Sequence, residues 1–244
     1  MGKVIAFAGQ KGGVGKSLLA SFCAVNIHLH HNSDLNSKRI CIYDADSPQH
    51  SNVSLRQSEI TMLQSKLEES AHIGRIFNKL YTDRNLQPLD IIPGTLENFP
   101  KVVEQLKQTY DLIIVDLVGT VSSPGYKQTA MLVDFFVIPL KYEDEDIRAT
   151  LDYVNGVAIP LTKDNDKDYL IVFNSVLSSD YTLVKDSIPV FIEQGYHVAQ
   201  RYIPMRKNMT RKFLQQDVDG KRTTIFSTGN RYISELVNEI IEKL

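Results

Sequence analysis

The sequence predicts an α/β fold, doubly wound, with a mostly parallel sheet of about seven strands and helices on both faces. Three observations lead there. Short, β-prone apolar runs alternate with helical stretches along the whole chain, the pattern of a parallel sheet covered on both sides. Between the first such run, Val4-Ile5-Ala6-Phe7-Ala8, and the first helix, over residues 18–25, lies a glycine-rich turn from Gly9 to Ser17. Two later apolar runs end in aspartate, at Asp44 and Asp116, and in open α/β sheets such strand ends face the ligand crevice.

Composition sets the frame for these elements. The chain has 244 residues, 43% hydrophobic and 23% charged, ordinary values for a soluble globular protein, and its length suits one domain over residues 1–244. Residues 4–8 are too short for the apolar core of a secretion signal, and no apolar run approaches the roughly 18–20 residues that span a bilayer. Cys23 and Cys41 fall in a predicted helix and a predicted strand without CxxC spacing, so buried thiols in a reducing cytoplasm are expected. A net charge of −2 excludes a polyanion binder acting through its whole surface and leaves room for a local basic patch.

The first turn reads Gly9-Gln10-Lys11-Gly12-Gly13-Val14-Gly15-Lys16-Ser17. Such a turn aims several backbone N–H groups and the positive end of a helix at one point, which suits a phosphate. Lys16 adds a cation at the β/γ-phosphates and the Ser17 hydroxyl can ligate Mg²⁺. The ordinary pattern, G-x-x-x-x-G-K-S/T, fails by one residue because Gln10 stands at the first glycine. A second lysine, Lys11, precedes the remaining glycines instead.

A polar segment over residues 28–38 follows the first helix, with His28, His30 and His31. No acidic or cysteine partner sits at ligand spacing, so it reads as a solvated connection. The second strand, residues 39–43, runs into Asp44-Ala45-Asp46-Ser47-Pro48-Gln49, where Pro48 turns the chain away. Residues 58–81 carry two helical stretches interrupted at Gly74, and residues 89–92 form a strand closed by Pro93 and Gly94. Residues 96–109 read as an amphipathic helix with Pro100 a break in its first half. Leu112-Ile113-Ile114-Val115-Asp116 is four aliphatics before a carboxylate able to hold Mg²⁺ directly or through water. Gly119, Ser122, Ser123, Pro124 and Gly125 then make a flexible loop beside the γ-phosphate, where a switch would lie.

A strand over residues 135–139 precedes a helix over residues 144–158, whose first-turn acids suit the helix dipole. The strand over residues 169–174 ends on Asn174, whose amide either pairs with an adenine edge or simply turns the chain. A helix over residues 181–194 and a strand over residues 197–203 follow. Residues 201–222 differ from the rest. Arg201, Arg206, Lys207, Arg211, Lys212, Lys221 and Arg222 face only Asp217 and Asp219, the footprint expected of a surface for phosphate backbones on an otherwise acidic chain. No helix-turn-helix or aromatic stacking pattern accompanies it, so DNA binding there would be independent of sequence. The last helix aligns Ile233, Leu236, Val237, Ile240, Ile241 and Leu244. Glu235, Glu239 and Glu242 opposite would be repelled by anionic lipid, so packing on the sheet is expected, with no membrane partner.

The loop with its extra Lys11, the Asp44–Gln49 stretch and the strand ending at Asp116 together resemble the ParA/MinD family of deviant-Walker P-loop ATPases, most closely a small ParA-type partition ATPase. That resemblance implies roles residue by residue. Lys11 matches the signature lysine, which reaches across an ATP-sandwich dimer to the partner's phosphates. Lys16 and Ser17 match the phosphate and Mg²⁺ contacts, and Gly12, Gly13, Val14, Gly15 and Leu18 complete the nucleotide cradle. Asp46 matches the aspartate that positions the attacking water, so Lys11, Lys16 and Asp46 are the implied catalytic set. Asp44 and Asp116 lie with Ser17 on the magnesium side, and Asn174 resembles the adenine-reading asparagine. The implied protein binds ATP and Mg²⁺, forms a homodimer on ATP, binds DNA non-specifically in that state and hydrolyses ATP to partition a plasmid or chromosome. A separate centromere-binding (ParB-type) or adaptor protein would reset it. It would be cytoplasmic and nucleoid-associated, without the N-terminal DNA-binding domain of longer relatives. A MinD-like membrane-associated spatial regulator, or a ParA-like ATPase serving conjugation or cargo positioning, are the alternative readings.

Overall fold

A computed structural model of the chain describes residues 2–31, 39–47, 49–67, 87, 89–117, 119–163, 166–205, 215–216, 222–223 and 231–244. Strands β1 (Lys3–Phe7), β2 (Ile40–Asp44), β3 (Asp90–Pro93), β4 (Leu112–Asp116), β5 (Phe135–Leu140) and β6 (Asp168–Phe173) pair in parallel in the order β3-β2-β4-β1-β5-β6. Where a seventh strand is expected over residues 197–203, the chain meets the sheet through isolated parallel bridges of Val198 to Ile171 and Pro204 to Val176 and not through a continuous ladder. Between those bridges the register slips: the Phe173 carbonyl oxygen takes the N–H of Ile203 at 2.8 Å, two residues beyond the Arg201 N–H that a continued ladder would offer it, while the outward-facing Gln200 N–H is given to the Glu239 carboxylate at 3.2 Å. A separate antiparallel pair joins β7 (Gln215–Gln216) and β8 (Arg222–Thr223).

Alternate residues of each strand face opposite layers, and both layers are apolar, as a parallel sheet requires. On one side Ile5, Phe7, Ile42 and Ile114 meet α1 (Lys16–Asn26), α2 (Ser51–Leu67) and the C-terminal α8 (Arg231–Glu242). On the other, Val4, Ala6, Ile113 and Phe136 meet α3 (Phe99–Thr109), the short α4 (Tyr126–Ala130), α5 (Asp144–Tyr153) and α7 (Tyr181–Glu193). The buried hydroxyls of Tyr126 and Tyr153 join α4 to α5 at 2.8 Å. Ile233, Leu236, Val237 and Ile240 of α8 are buried, so the last helix packs on the molecule through its apolar face, as its acidic opposite face suggests.

Several boundaries differ from expectation for local physical reasons. Pro100 lies in the first turn of α3, where its missing N–H has no helical partner to lose, so it starts the helix and does not break it. The helix of α1 runs on through a π-type turn, Ile27–His31. His28 is therefore buried, its Nε2 2.7 Å from the Gln87 carbonyl oxygen, and not part of a solvated connection. The side chains of His30 and His31, and residues 68–86 with Gly74 and the second helical stretch expected there, lie outside the described residues. The helix expected over residues 144–158 continues through a π-type turn, Val154–Ala158, into α6 (Ile159–Thr162).

Candidate functional site

Three strand ends converge at the carboxyl edge of the sheet. Phe7 of β1 and Asp44 of β2 are both ladder partners of Asp116 in β4, so two carboxylates and the start of the glycine-rich loop share one rung. The loop then climbs to α1, whose N-cap is Gly15 with φ of 93°. A Cβ at Gly15 would lie 2.5 Å from Asn174 Nδ2, so both backbone conformation and space demand glycine. Asn174 follows β6 directly and donates from Nδ2 to the Val14 carbonyl oxygen at 2.8 Å. It braces the loop and keeps Oδ1 for another partner. An open cleft of about 790 Å³ runs from Gly13, Lys16 and Ser17 past Leu18 to Asn174 and Met205.

Lys16 and Ser17 line the loop end of this cleft, and Asp46 and Asp116 lie close to Lys16. Lys16 is buried and its Nζ donates to the Lys11 carbonyl oxygen at 2.9 Å. Burial pulls its ammonium below the ordinary value, while Asp116 and Asp46 pull it back. Burial pushes the Asp116 carboxyl up to about 7, opposed by the nearby Ser17 hydroxyl and assisted by Asp44 and Asp46. Asp44 is fully buried, and its Oδ2 accepts the N–H groups of Asn52 at 2.8 Å and Val53 at 3.0 Å, which caps α2. Burial raises its carboxyl against those two bonds. Asp46 is half-buried, and its Oδ2 accepts a long hydrogen bond from the Ser51 hydroxyl at 3.4 Å.

Asp44 Oδ1 and Asp116 Oδ1 are buried without a hydrogen-bond partner among the described residues. Two such oxygens beside the Ser17 hydroxyl are a hard, anionic donor set. They fit a small divalent cation that takes one or two carboxylates and draws its remaining ligands from phosphate and water. Ser17, Asp44 and Asp116 are the residues that would hold it.

Lys11 leaves the loop in another direction. Its Nζ lies 2.8 Å from Asp146 and 3.0 Å from Glu145, both in the first turn of α5. Those two carboxylates, Asp146 first, raise the ammonium above its ordinary value. Of the basic residues expected to meet DNA, Arg201 is exposed and pairs with Glu235 at 3.2 Å, and Arg231 pairs with the same carboxylate at 2.8 Å. Arg222 lies in β8; Arg206, Lys207, Arg211, Lys212 and Lys221 fall outside the described residues. The structure thus brings together Lys16, Ser17, Asp44, Asp46 and Asp116, turns the Lys11 side chain aside to Asp146 and Glu145, and adds Asn52 and Asp146, which no sequence pattern singles out.

No family model and no curated protein matches the chain. Solved structures do. A plasmid partition protein of Borrelia burgdorferi B31 bound to AMPPNP superposes with a TM-score of 0.62 at 20% identity, covering 100% of this chain and 98% of that one. pNOB8 ParA bound to nonspecific DNA gives 0.63 at 15% identity, covering 100% and 98%. MinD of Aquifex aeolicus, from a MinC:MinD complex, gives 0.61 at 18%, covering 98% and 96%. The fold of this chain is therefore that of ParA- and MinD-type P-loop proteins, over nearly the full length of each.

Proposed function

We propose that this protein is a Mg²⁺-dependent ATPase that works as a ParA-type dimerisation switch, binding DNA non-specifically with ATP and hydrolysing ATP to partition a plasmid or chromosome. The observation that carries the reading is the meeting of Lys16, Ser17, Asp44, Asp46 and Asp116 at one sheet edge on this fold, with Lys11 on the same loop and its side chain turned outward to α5. The cleft takes the nucleotide with its phosphates at Gly13 to Ser17 and its base toward Asn174, where exposed Leu177 and Met205 offer apolar surface. Asp46 orients a water whose oxygen attacks the γ-phosphorus while the bond to the ADP oxygen breaks. Mg²⁺, when bound, neutralises charge on the β- and γ-phosphate oxygens. Lys16 does the same from the loop, and Lys11 of a second copy supplies a further cation, as an arginine finger does. That route ties hydrolysis to pairing. A separate centromere-binding or adaptor protein would reset the switch, and the protein would sit on the nucleoid while ATP-bound.

The buried apolar face of α8 favours DNA over a lipid surface as the partner. The deciding experiment is binding to plain duplex DNA with ATP, ADP and no nucleotide, on wild type and Lys11→Ala. Binding should require ATP, weaken steeply with salt, and be lost in Lys11→Ala. ATP-loaded wild type that ignores DNA at low salt and instead sediments with anionic liposomes would replace this reading with the MinD-like one.

A further inference from the structure

Asn52 belongs to none of the motifs above, yet it touches three segments of the carboxyl edge at once. It is 1% exposed, in the first turn of α2. Its backbone N–H joins that of Val53 on Asp44 Oδ2. Its Nδ2 donates to Asp116 Oδ2 at 2.8 Å, and its Oδ1 accepts the hydroxyl of Ser21 in α1. The amide orientation follows from chemistry, since a carboxylate only accepts and a flipped amide would set oxygen against oxygen.

The consequence lies in which oxygens remain. A carboxylate free to turn about its last torsion presents either oxygen to a ligand. One with Oδ2 pinned by an amide presents Oδ1, and Oδ1 of Asp116 is an atom without a hydrogen-bond partner among the described residues. The same applies to Asp44, whose Oδ2 is held by the first turn of α2. Outer groups of this kind orient the ligands of a metal. We propose that Asn52 is a positioning residue for the cation end of the nucleotide site, holding Asp116 so that Oδ1 faces the divalent ion. This rests on the Mg²⁺-ATPase reading above.

The test is a Mg²⁺ titration of fluorescent ADP-analogue binding to the full chain, as wild type, Asn52→Ala and Ser21→Ala. None of these substitutions removes the backbone N–H that caps onto Asp44. Asn52→Ala should raise the Mg²⁺ needed for half-maximal effect by about 10–100-fold. Analogue affinity without Mg²⁺ should stay within about twofold, since the loop contacts are untouched. Ser21→Ala keeps the donor on Asp116 and should follow wild type. An unchanged Mg²⁺ requirement in Asn52→Ala, or an equal change in Ser21→Ala, would overturn the proposal. Asn52→Ser serves should the alanine variant not fold, and loss of folding in both would make the amide a strut and likewise overturn it. Wild type that binds the analogue with no Mg²⁺ dependence would instead remove the ATPase reading itself, so the two failures are distinguishable.

Discussion

Lys11 is held by its own chain before it can meet another. Asp146 is almost fully buried and faces Lys11 at 2.8 Å, so a lysine that crosses to a partner's phosphates must first leave that carboxylate and Glu145. An ion pair with one solvent-exposed partner is a modest restraint that association has to overcome. Asp146→Asn should therefore lower the protein concentration at which half the chains are dimeric with a slowly hydrolysed ATP analogue, by about two- to fivefold. Sedimentation equilibrium measures it, and a midpoint that is unchanged or higher means that the pair does not restrain association. The loop residues themselves were legible in the sequence because their chemistry is local: glycines, lysines and a serine within one turn. The partners of Lys11 were not, since Asp146 is 135 positions away and reads in sequence only as a first-turn acid suited to a helix dipole. Asn52 was invisible for the same reason, as an amide gains meaning only from the carboxylate it faces.

At the scale of elements, the strands were the most legible part, because three or four β-branched or aromatic residues in a run of five or six, buried on both faces, leave a plain apolar stretch. Helix starts were less so. The sequence places the helix after the second strand near residue 58, whereas α2 begins at Ser51. Its cap is the carboxylate of Asp44, on the preceding strand, in place of a local side chain. Asp44→Ala should accordingly be less stable in urea than Asp44→Asn, which keeps an acceptor, by about 1–2 kcal/mol without nucleotide or Mg²⁺. Equal stability of the two variants would show that the cap contributes nothing. The expected seventh strand is interrupted by a slip that no local pattern marks: the Phe173 carbonyl oxygen takes the Ile203 N–H where a regular ladder would use that of Arg201.

The whole molecule is a mildly acidic body with a basic segment at residues 201–222, an asymmetry read directly from the chain. What the sequence does not reveal is that Arg201 is already partly neutralised. Glu235 binds it and Arg231 together. Glu235→Gln should free both guanidinium groups, strengthen non-specific DNA binding at low salt and steepen its logarithmic salt dependence by about 1. Filter binding across a salt series reads both effects, and an unchanged slope would place the DNA surface elsewhere. The architecture has one more consequence, set at the capped start of α2. With 17 residues, α2 is a rod of about 25 Å whose first turn is bolted to Asp44. A tilt of about 5° at that bolt swings the far end by about 2 Å. Asp44 is thus the fixed point from which any tilt of α2 would be enlarged along the length of the helix.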